Sequence, residues 1–231
     1  MIKAVFFDLY HTLVRYEPSR EELTAGFLKE FGIEVSADAL RRPLVAADEF
    51  IYREMSRLPL GRRSDEERAA LFLEHQAIVL REAGIAADTR IAAGLLGKMQ
   101  RVKMDLVLFD DVAPALTDLK GRGLWLGLIS NIDQDIGAML EGLGLPSWLD
   151  SVVTSRDAGA SKPRPEIFLE AVRRAGVAPA EAIFVGDQYE VDVLGAAGAG
   201  LKGILLDRGG YFAEIADCPR IRSLGEIVEH L

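Results

Sequence analysis

Four short polar stretches carry the side chains with which this chain could do chemistry, and each follows a short apolar run. The stretches are Asp8-Leu9-Tyr10-His11-Thr12, Ser130-Asn131, Ser161-Lys162-Pro163-Arg164-Pro165 and Gly186-Asp187-Gln188-Tyr189-Glu190-Val191-Asp192. They contain carboxylates, hydroxyls, an amide and a lysine, and open α/β sheets gather their ligand-binding groups just after the strand ends. If the first stretch stays extended, positions 8, 10 and 12 point the same way. The pattern predicts one ligand site built from several loops.

The apolar runs predict strands that are buried on both faces of a parallel sheet. They lie at residues 2–7, 124–130, 152–154, 182–186 and 203–207, and helical patterns at about 113–121, 133–142, 165–175, 190–198 and 223–230 separate or follow them. Regular alternation of strands and helices is typical of an α/β fold with helices on both sides of the sheet. The sequence therefore predicts a Rossmann-like α/β core.

A long run of helical patterns interrupts this alternation after the first strand. Two capping boxes, in which a serine and a glutamate three residues later each bond the other's backbone, predict helix starts there. They are Ser19 with Glu22 and Ser64 with Glu67. We expect an α/β core domain of residues 1–14 and 109–231, with a helical cap domain of residues 15–108 inserted into it.

Composition and charge exclude several classes of protein. The chain has 231 residues, and 27 Lys and Arg against 36 Asp and Glu give a formal charge of −9, with no basic stripe for nucleic acid. No segment approaches the ~18 consecutive apolar residues of a membrane span, and the N-terminus shows no secretory signal. Cys218 stands alone, so no intrachain disulfide forms. We expect a cytoplasmic protein with a small-molecule substrate, as a monomer or a homodimer.

Taken together, the four stretches resemble the motifs of the haloacid dehalogenase (HAD) superfamily. Its members carry an aspartate nucleophile, a serine or threonine, a lysine and an acidic pair in this order at four strand ends. The acidic pair is matched by Gly186-Asp187 with Asp192 five residues later. The helical insertion lies where dehalogenases and phosphoglycolate-phosphatase-like members carry a cap. The resemblance covers the whole chain and implies a hydrolase.

The resemblance implies a nucleophile and a metal site. Asp8 would form a covalent ester with the substrate, which splits one difficult displacement into two easier ones. Asp8, Asp187 and Asp192, with the backbone carbonyl of Tyr10, would hold Mg²⁺, a hard ion that prefers oxygen ligands. This cation and Lys162 would neutralise the charge of a phosphomonoester.

Substrate binding falls, by the same resemblance, to the second and third motifs and to the end of the first. Thr12, Ser130, Asn131 and Lys162 are expected to bind the phosphoryl oxygens. The ammonium of Lys162 also supplies a fixed positive charge during the reaction. Lys162 is therefore assigned to both catalysis and substrate binding.

Tyr10 departs from the phosphatase pattern, in which a second aspartate at this position is the general acid and base. Such proton transfer is worth ~10²–10⁴ in rate. Tyrosine, with a reference pKa of ~10, is a poor base at neutral pH. Tyr10 remains in the catalytic set because of its position. A tyrosine here resembles the dehalogenase branch, in which a halide leaves without needing a proton.

Three functions stay open. The first is an Mg²⁺-dependent phosphatase for a small phosphomonoester, slow because Tyr10 replaces the acid. The second is a metal-independent 2-haloacid dehalogenase, favoured by Tyr10 and Thr12. The acidic pair argues against the second function, and so does Phe168, which stands where that branch has a tyrosine. The third is a catalytically poor protein that retains the pocket and binds a ligand or another protein.

Overall fold

The computed structural model describes residues 1–86 and 88–231 and divides into two compact units. One unit, called here the core unit, comprises Met1–Arg15 and Val107–Leu231. The other, called here the helical unit, is Tyr16–Leu106.

The strands of the chain form one large sheet and one small sheet. In chain order they are β1 (Ala4–Phe7), β2 (Val14–Glu17), β3 (Asp105–Leu108), β4 (Trp125–Ser130), β5 (Ser151–Thr154), β6 (Ala182–Gly186), β7 (Lys202–Leu206) and β8 (Arg220–Ile221). The six-stranded sheet has the order β5-β4-β1-β6-β7-β8, and its neighbouring strands are parallel. β2 and β3 pair with each other. The predicted Rossmann-like α/β sheet is confirmed.

Helices fill most of the remaining chain. The α-helices are α1 (Arg20–Glu30), α2 (Ala37–Arg57), α3 (Asp65–Glu82), α4 (Thr89–Met99), α5 (Val112–Gly121), α6 (Gly137–Gly142), α7 (Ser155–Ala158), α8 (Pro165–Ala175) and α9 (Leu194–Gly198). Shorter 3-10 segments are Leu60–Arg62, Leu145–Ser147, Pro179–Glu181 and Leu224–His230, and Tyr189–Val193 is a single π-helical turn. No helix of the described residues is long and apolar enough to cross a membrane.

β1 is a fully buried strand of the core unit, since it lies between β4 and β6. Its four residues are 0% exposed. Phe6 packs in the same apolar cluster as Phe168 and Phe184, whose rings meet edge to face at 5.2 Å between centroids. Burial of large apolar side chains of this kind is the main source of folding free energy. The end of β1 is therefore a rigid place for a reactive side chain.

The helical unit has its own apolar core and one buried polar cluster. Both predicted capping boxes are present, at the starts of α1 and α3. Leucines and alanines of its four α-helices form the core. The cluster joins α1, α2 and α3: both guanidinium ends of Arg20 donate to the Asp48 carboxylate, at 2.9 and 2.6 Å, and His75 Nε2 lies 3.2 Å from the same carboxylate. These contacts fix how the three helices pack.

Candidate active site

The candidate active site begins at Asp8, the first residue after β1. The Asp8 N–H donates to the Val185 carbonyl oxygen at 2.9 Å, so the pairing with β6 continues past the end of the strand. The residue is 8% exposed. Its carboxylate therefore starts from a backbone position held by a neighbouring strand.

The segment after Asp8 is a tight turn, so the condition of extended backbone is not met. The N–H groups of Leu13 and Val14 both donate to the Leu9 carbonyl oxygen, at 2.9 and 3.0 Å. His11 has a φ of 60°, in the left-handed region that a non-glycine residue rarely adopts. Strict alternation of side chains holds only in extended backbone. The alternating pattern on which the placement of the first motif rested does not apply.

Thr12 and Tyr10 occupy different environments within this turn. Thr12 is fully buried, and among the described residues its Oγ1 has no hydrogen-bond partner. The contact of this hydroxyl with a phosphoryl oxygen stays a prediction. Tyr10 is half-buried, and its backbone bridges to Val14.

Lys162, in the third polar stretch, bonds both Asp8 in the first stretch and Asp192 in the fourth. Its Nζ donates to Asp8 Oδ1 at 2.6 Å and to Asp192 Oδ1 at 2.7 Å. The side chain is 3% exposed, and the ammonium lies 5.0 Å from the centre of the Phe184 ring. Charge-assisted hydrogen bonds of this length are among the strongest in proteins. The lysine thus sets the orientation of the Asp8 carboxylate.

The electrostatics of this pair follow from burial and charge together. Burial raises the pKa of Asp8 to about 6, and Asp192 adds to this effect while Lys162 opposes it. Burial by itself lowers the pKa of Lys162, but the charges of Asp192 and Asp8 outweigh it and hold this pKa above its ordinary value. Lys162 therefore remains a cation and a poor proton donor at neutral pH.

Asn131 contacts the backbone of Lys162 rather than an open pocket. Its side-chain amide donates to the Lys162 carbonyl oxygen at 2.9 Å, and its Oδ1 accepts from the Lys162 N–H at 2.7 Å. Both ends of the amide are thus engaged by one residue. Asn131 therefore positions the backbone of Lys162, and its contact with a substrate stays a prediction.

The acidic motif is folded around a π-helical turn, a feature that often marks functional sites. Asp192 is 1% exposed. Its Oδ2 accepts from the Gln188 N–H at 3.0 Å, and its own N–H donates to the Gln188 carbonyl oxygen at 2.8 Å. Gln188 Nε2 in turn donates to Asp187 Oδ2 at 2.8 Å. The turn therefore orients both carboxylates of the motif.

Gly186 is required by the same packing. A Cβ built at this position would lie 2.2 Å from Asp192 Oδ2 and 2.4 Å from its Cγ. Contacts below 3.0 Å do not occur for real side chains, so any other residue would push Asp192 aside. The glycine allows the buried carboxylate to lie directly against the end of β6.

Three carboxylates meet in a donor set that suits a hard divalent cation. One oxygen each from Asp8, Asp187 and Asp192 lies within 4.8 Å of the others. Opposite ligands of Mg²⁺ at about 2.1 Å are about 4.2 Å apart, so modest carboxylate rotation brings this set into range. When all three carboxylates are ionised, the ammonium of Lys162 neutralises one of their negative charges. Two negative charges then remain for a divalent cation to balance. The residues present therefore fit Mg²⁺ in ligand type and in charge.

Ser130 and Phe168 complete the positions singled out from the sequence. Ser130 ends β4, two residues beyond the Leu128 that pairs with Phe7, and it is 2% exposed. Its contact with a substrate stays a prediction. Phe168 is fully buried in the apolar cluster. It supplies no hydroxyl where the dehalogenase branch has a tyrosine.

Sequence reasoning assigned no role to two residues whose hydrogen bonds hold other residues of this site in place. Gln188 donates to Asp187, and Arg208 Nη2 donates to the Thr12 carbonyl oxygen at 2.9 Å. Gln188 lies inside the acidic motif, so its position was a usable signal. Arg208 follows β7 at a strand end, but nothing local in the sequence links it to the first motif.

Comparisons with known proteins identify the family of this chain. A family profile described as haloacid dehalogenase-like hydrolase matches residues 2–200. A glyceraldehyde 3-phosphate phosphatase of Methanopyrus kandleri is 32% identical over 216 residues, which are 91% of this chain and 86% of the relative. A solved HAD phosphatase from Thermococcus onnurineus is 26% identical with a TM-score of 0.58, over 99% of this chain and 97% of that chain. A solved 2-haloacid dehalogenase from Pseudomonas syringae pv. Tomato is 27% identical with a TM-score of 0.55, over 99% and 97%.

The chain belongs to the haloacid dehalogenase-like hydrolases, as the motifs indicated. It is therefore an enzyme of the hydrolase class. The whole-length similarity to a named phosphatase favours phosphatase activity over dehalogenation.

Proposed function

We propose that this enzyme is an Mg²⁺-dependent phosphatase that hydrolyses a small phosphomonoester through an aspartyl-phosphate at Asp8. The observation that carries the proposal is the cluster at the end of β1. There the Asp8 carboxylate is bonded to the buried ammonium of Lys162 and lies beside Asp187 and Asp192. The named phosphatase relative supports the same reaction class.

The first chemical step needs an oriented carboxylate. In the proposed reaction an oxygen of Asp8 attacks phosphorus, the bond between phosphorus and the ester oxygen breaks, and the leaving alkoxide takes a proton from water. Lys162 holds one oxygen of Asp8 at 2.6 Å, which limits rotation of the carboxylate before attack. In the second step, water attacks phosphorus and frees Asp8. Holding reactants in a reactive geometry is a large part of enzymatic rate enhancement.

Charge is the main obstacle to this attack, because a phosphate dianion approaches a negative cluster. Asp8, Asp187 and Asp192, with the Tyr10 carbonyl oxygen, would hold Mg²⁺. When bound, the cation would offset the negative charge of the carboxylates and of the phosphoryl group. Lys162 contributes a fixed positive charge that needs no reorganisation during the reaction.

Metal binding is the direct test of the proposed site. Calorimetric titration of the wild type with Mg²⁺ is expected to show binding, and Asp187→Ala should weaken the affinity at least about tenfold because it removes a ligand. The control is Asp110→Ala, which removes a carboxylate whose side chain is 97% exposed. Equal affinities of the wild type and Asp187→Ala, or no binding by either, would show that the assignment of the metal site is wrong.

Tyr10 limits the step in which the alcohol leaves. Tyr10→Asp is expected to raise kcat for alkyl phosphates by roughly 10–100-fold, because it supplies the missing acid and base. Aryl phosphates, whose leaving groups are already stable as anions, should gain less. The control is Tyr10→Asn, which has the same shape as the aspartate variant but transfers no proton. Steady-state kinetics with both substrate types provides the measurement.

A 2-haloacid dehalogenase is the second candidate, and Tyr10 is the observation that favours it. A halide leaves without protonation, so an enzyme of this type does not need an acid at that position. This candidate predicts halide release from 2-haloacids in the presence of a metal chelator. If Tyr10→Asp abolished such release and added no phosphatase activity, dehalogenation would replace the phosphatase proposal.

A further inference from the structure

Arg208 forms a partly buried connection between the turn that follows Asp8 and two distant parts of the core unit. It lies two residues after β7. Its Nη2 donates to the Thr12 carbonyl oxygen at 2.9 Å. The same guanidinium makes two hydrogen bonds to the Asp111 carboxylate, at 2.9 and 3.0 Å. One side chain thus joins the turn of the first motif to the start of α5.

The position of Arg208 is itself fixed by its surroundings. Its guanidinium lies over the Phe109 ring at 4.0 Å from the ring centre. Asp111 also accepts from the Leu224 N–H at 2.9 Å. Burial opposes ionisation of Asp111, but the bonds from Arg208 and Leu224 prevail and lower its pKa. Asp111 therefore stays ionised, and the ion pair with Arg208 holds at neutral pH.

The turn held by Arg208 has an unfavourable conformation by itself. His11 has a φ of 60°, in the left-handed region that is unfavourable for a non-glycine residue. Thr12 Oγ1 and Arg208 Nε are both buried without a hydrogen-bond partner among the described residues. A left-handed backbone and unpartnered buried polar atoms persist only where other contacts of the surrounding structure hold them in place. The bond from Arg208 to the Thr12 carbonyl oxygen is a long-range side-chain contact that holds the turn from outside.

We propose that Arg208 is a positioning residue for the reaction, which acts by holding the Asp8 to Thr12 turn in its reactive shape. This inference rests on the proposed function, because it assumes that Asp8 is the nucleophile. A lysine cannot replace the arginine fully, since a single ammonium lacks the planar fork that serves Thr12 and Asp111 together. The Asp8 carboxylate and the Tyr10 carbonyl would then lose their shared alignment.

The test is Arg208→Lys, with Arg15→Gln as the matched control. Arg15 lies near the same Phe109 ring, at 5.6 Å, and its Nη1 donates to the Leu108 carbonyl oxygen at 3.5 Å. For Arg208→Lys we expect kcat to fall about 10–100-fold, KM to change less than about threefold, and Mg²⁺ affinity by calorimetry to fall several-fold. Arg15→Gln should keep all three values within about twofold of wild type.

A purely structural role for Arg208 predicts a different result. In that case melting temperature falls while kcat per folded enzyme stays within about twofold of wild type, and this outcome overturns the inference. If Arg208→Lys does not fold, Asp111→Asn is the deciding variant. A three- to tenfold loss of kcat in this variant supports the inference, and no loss overturns it.

Asp8→Asn, measured in parallel, distinguishes failure of the proposed function from failure of the inference about Arg208. If it retains turnover, the proposed function fails; if it is inactive while the Arg208 variant is normal, only this inference fails.

Discussion

Phosphatase turnover is expected to fall by at least about 10³-fold when Asp8 is replaced by asparagine. An amide oxygen is a far weaker nucleophile than a carboxylate, so the covalent step is lost while the shape of the side chain is kept. Lys162 retains its bond to Asp192 at 2.7 Å, so the buried ammonium keeps a partner and the variant should fold. Steady-state kinetics and melting temperature together check both points.

The covalent intermediate gives a second readout of the same prediction. Acid quenching of the wild type during turnover, followed by peptide mass spectrometry, should place a phosphoryl group on Asp8 and on no other aspartate. Asp110→Asn is the control, since that exposed residue lies outside the cluster. Activity of Asp8→Asn within tenfold of the wild type would exclude the covalent mechanism.

Removal of the buried ammonium is expected to affect both catalysis and stability. Lys162→Gln leaves Asp8 and Asp192 beside each other without their shared counter-ion. The breaking of a buried ion pair typically costs about 3–5 kcal/mol of unfolding free energy. We also expect kcat/KM to fall by about 10²–10³-fold, because the carboxylate loses its orientation and the phosphate loses a fixed positive charge.

Lys120 provides the matched control for this experiment. It pairs with Asp150 at 2.7 Å on the surface, where its side chain is 36% exposed. Surface ion pairs contribute only about 0–1 kcal/mol, so Lys120→Gln should leave kcat/KM unchanged and unfolding nearly so. Urea denaturation of both variants gives the comparison. If Lys162→Gln behaved like Lys120→Gln in denaturation and kinetics, the role of the buried lysine would be refuted.

The sequence by itself determined the features that depend on local signals. Alternating apolar runs and helical patterns predicted the parallel sheet, because the spacing of apolar residues within each element indicates its type and its buried faces. The capping boxes at Ser19 and Ser64 were predicted correctly, since the groups involved are three residues apart. The motifs at the strand ends also identified the family, which the family profile confirms over residues 2–200.

Only the tertiary structure decided how these motifs work together. The turn at His11 removes the condition of extended backbone under which positions 8, 10 and 12 would point the same way. Asn131 contacts the backbone of Lys162, which is 31 residues away, a bond that its own motif does not indicate. Arg208 reaches Thr12 across 196 residues. A hydrogen bond between distant residues leaves no periodic trace in the sequence, since each partner is an ordinary polar residue until the sheet brings the two together.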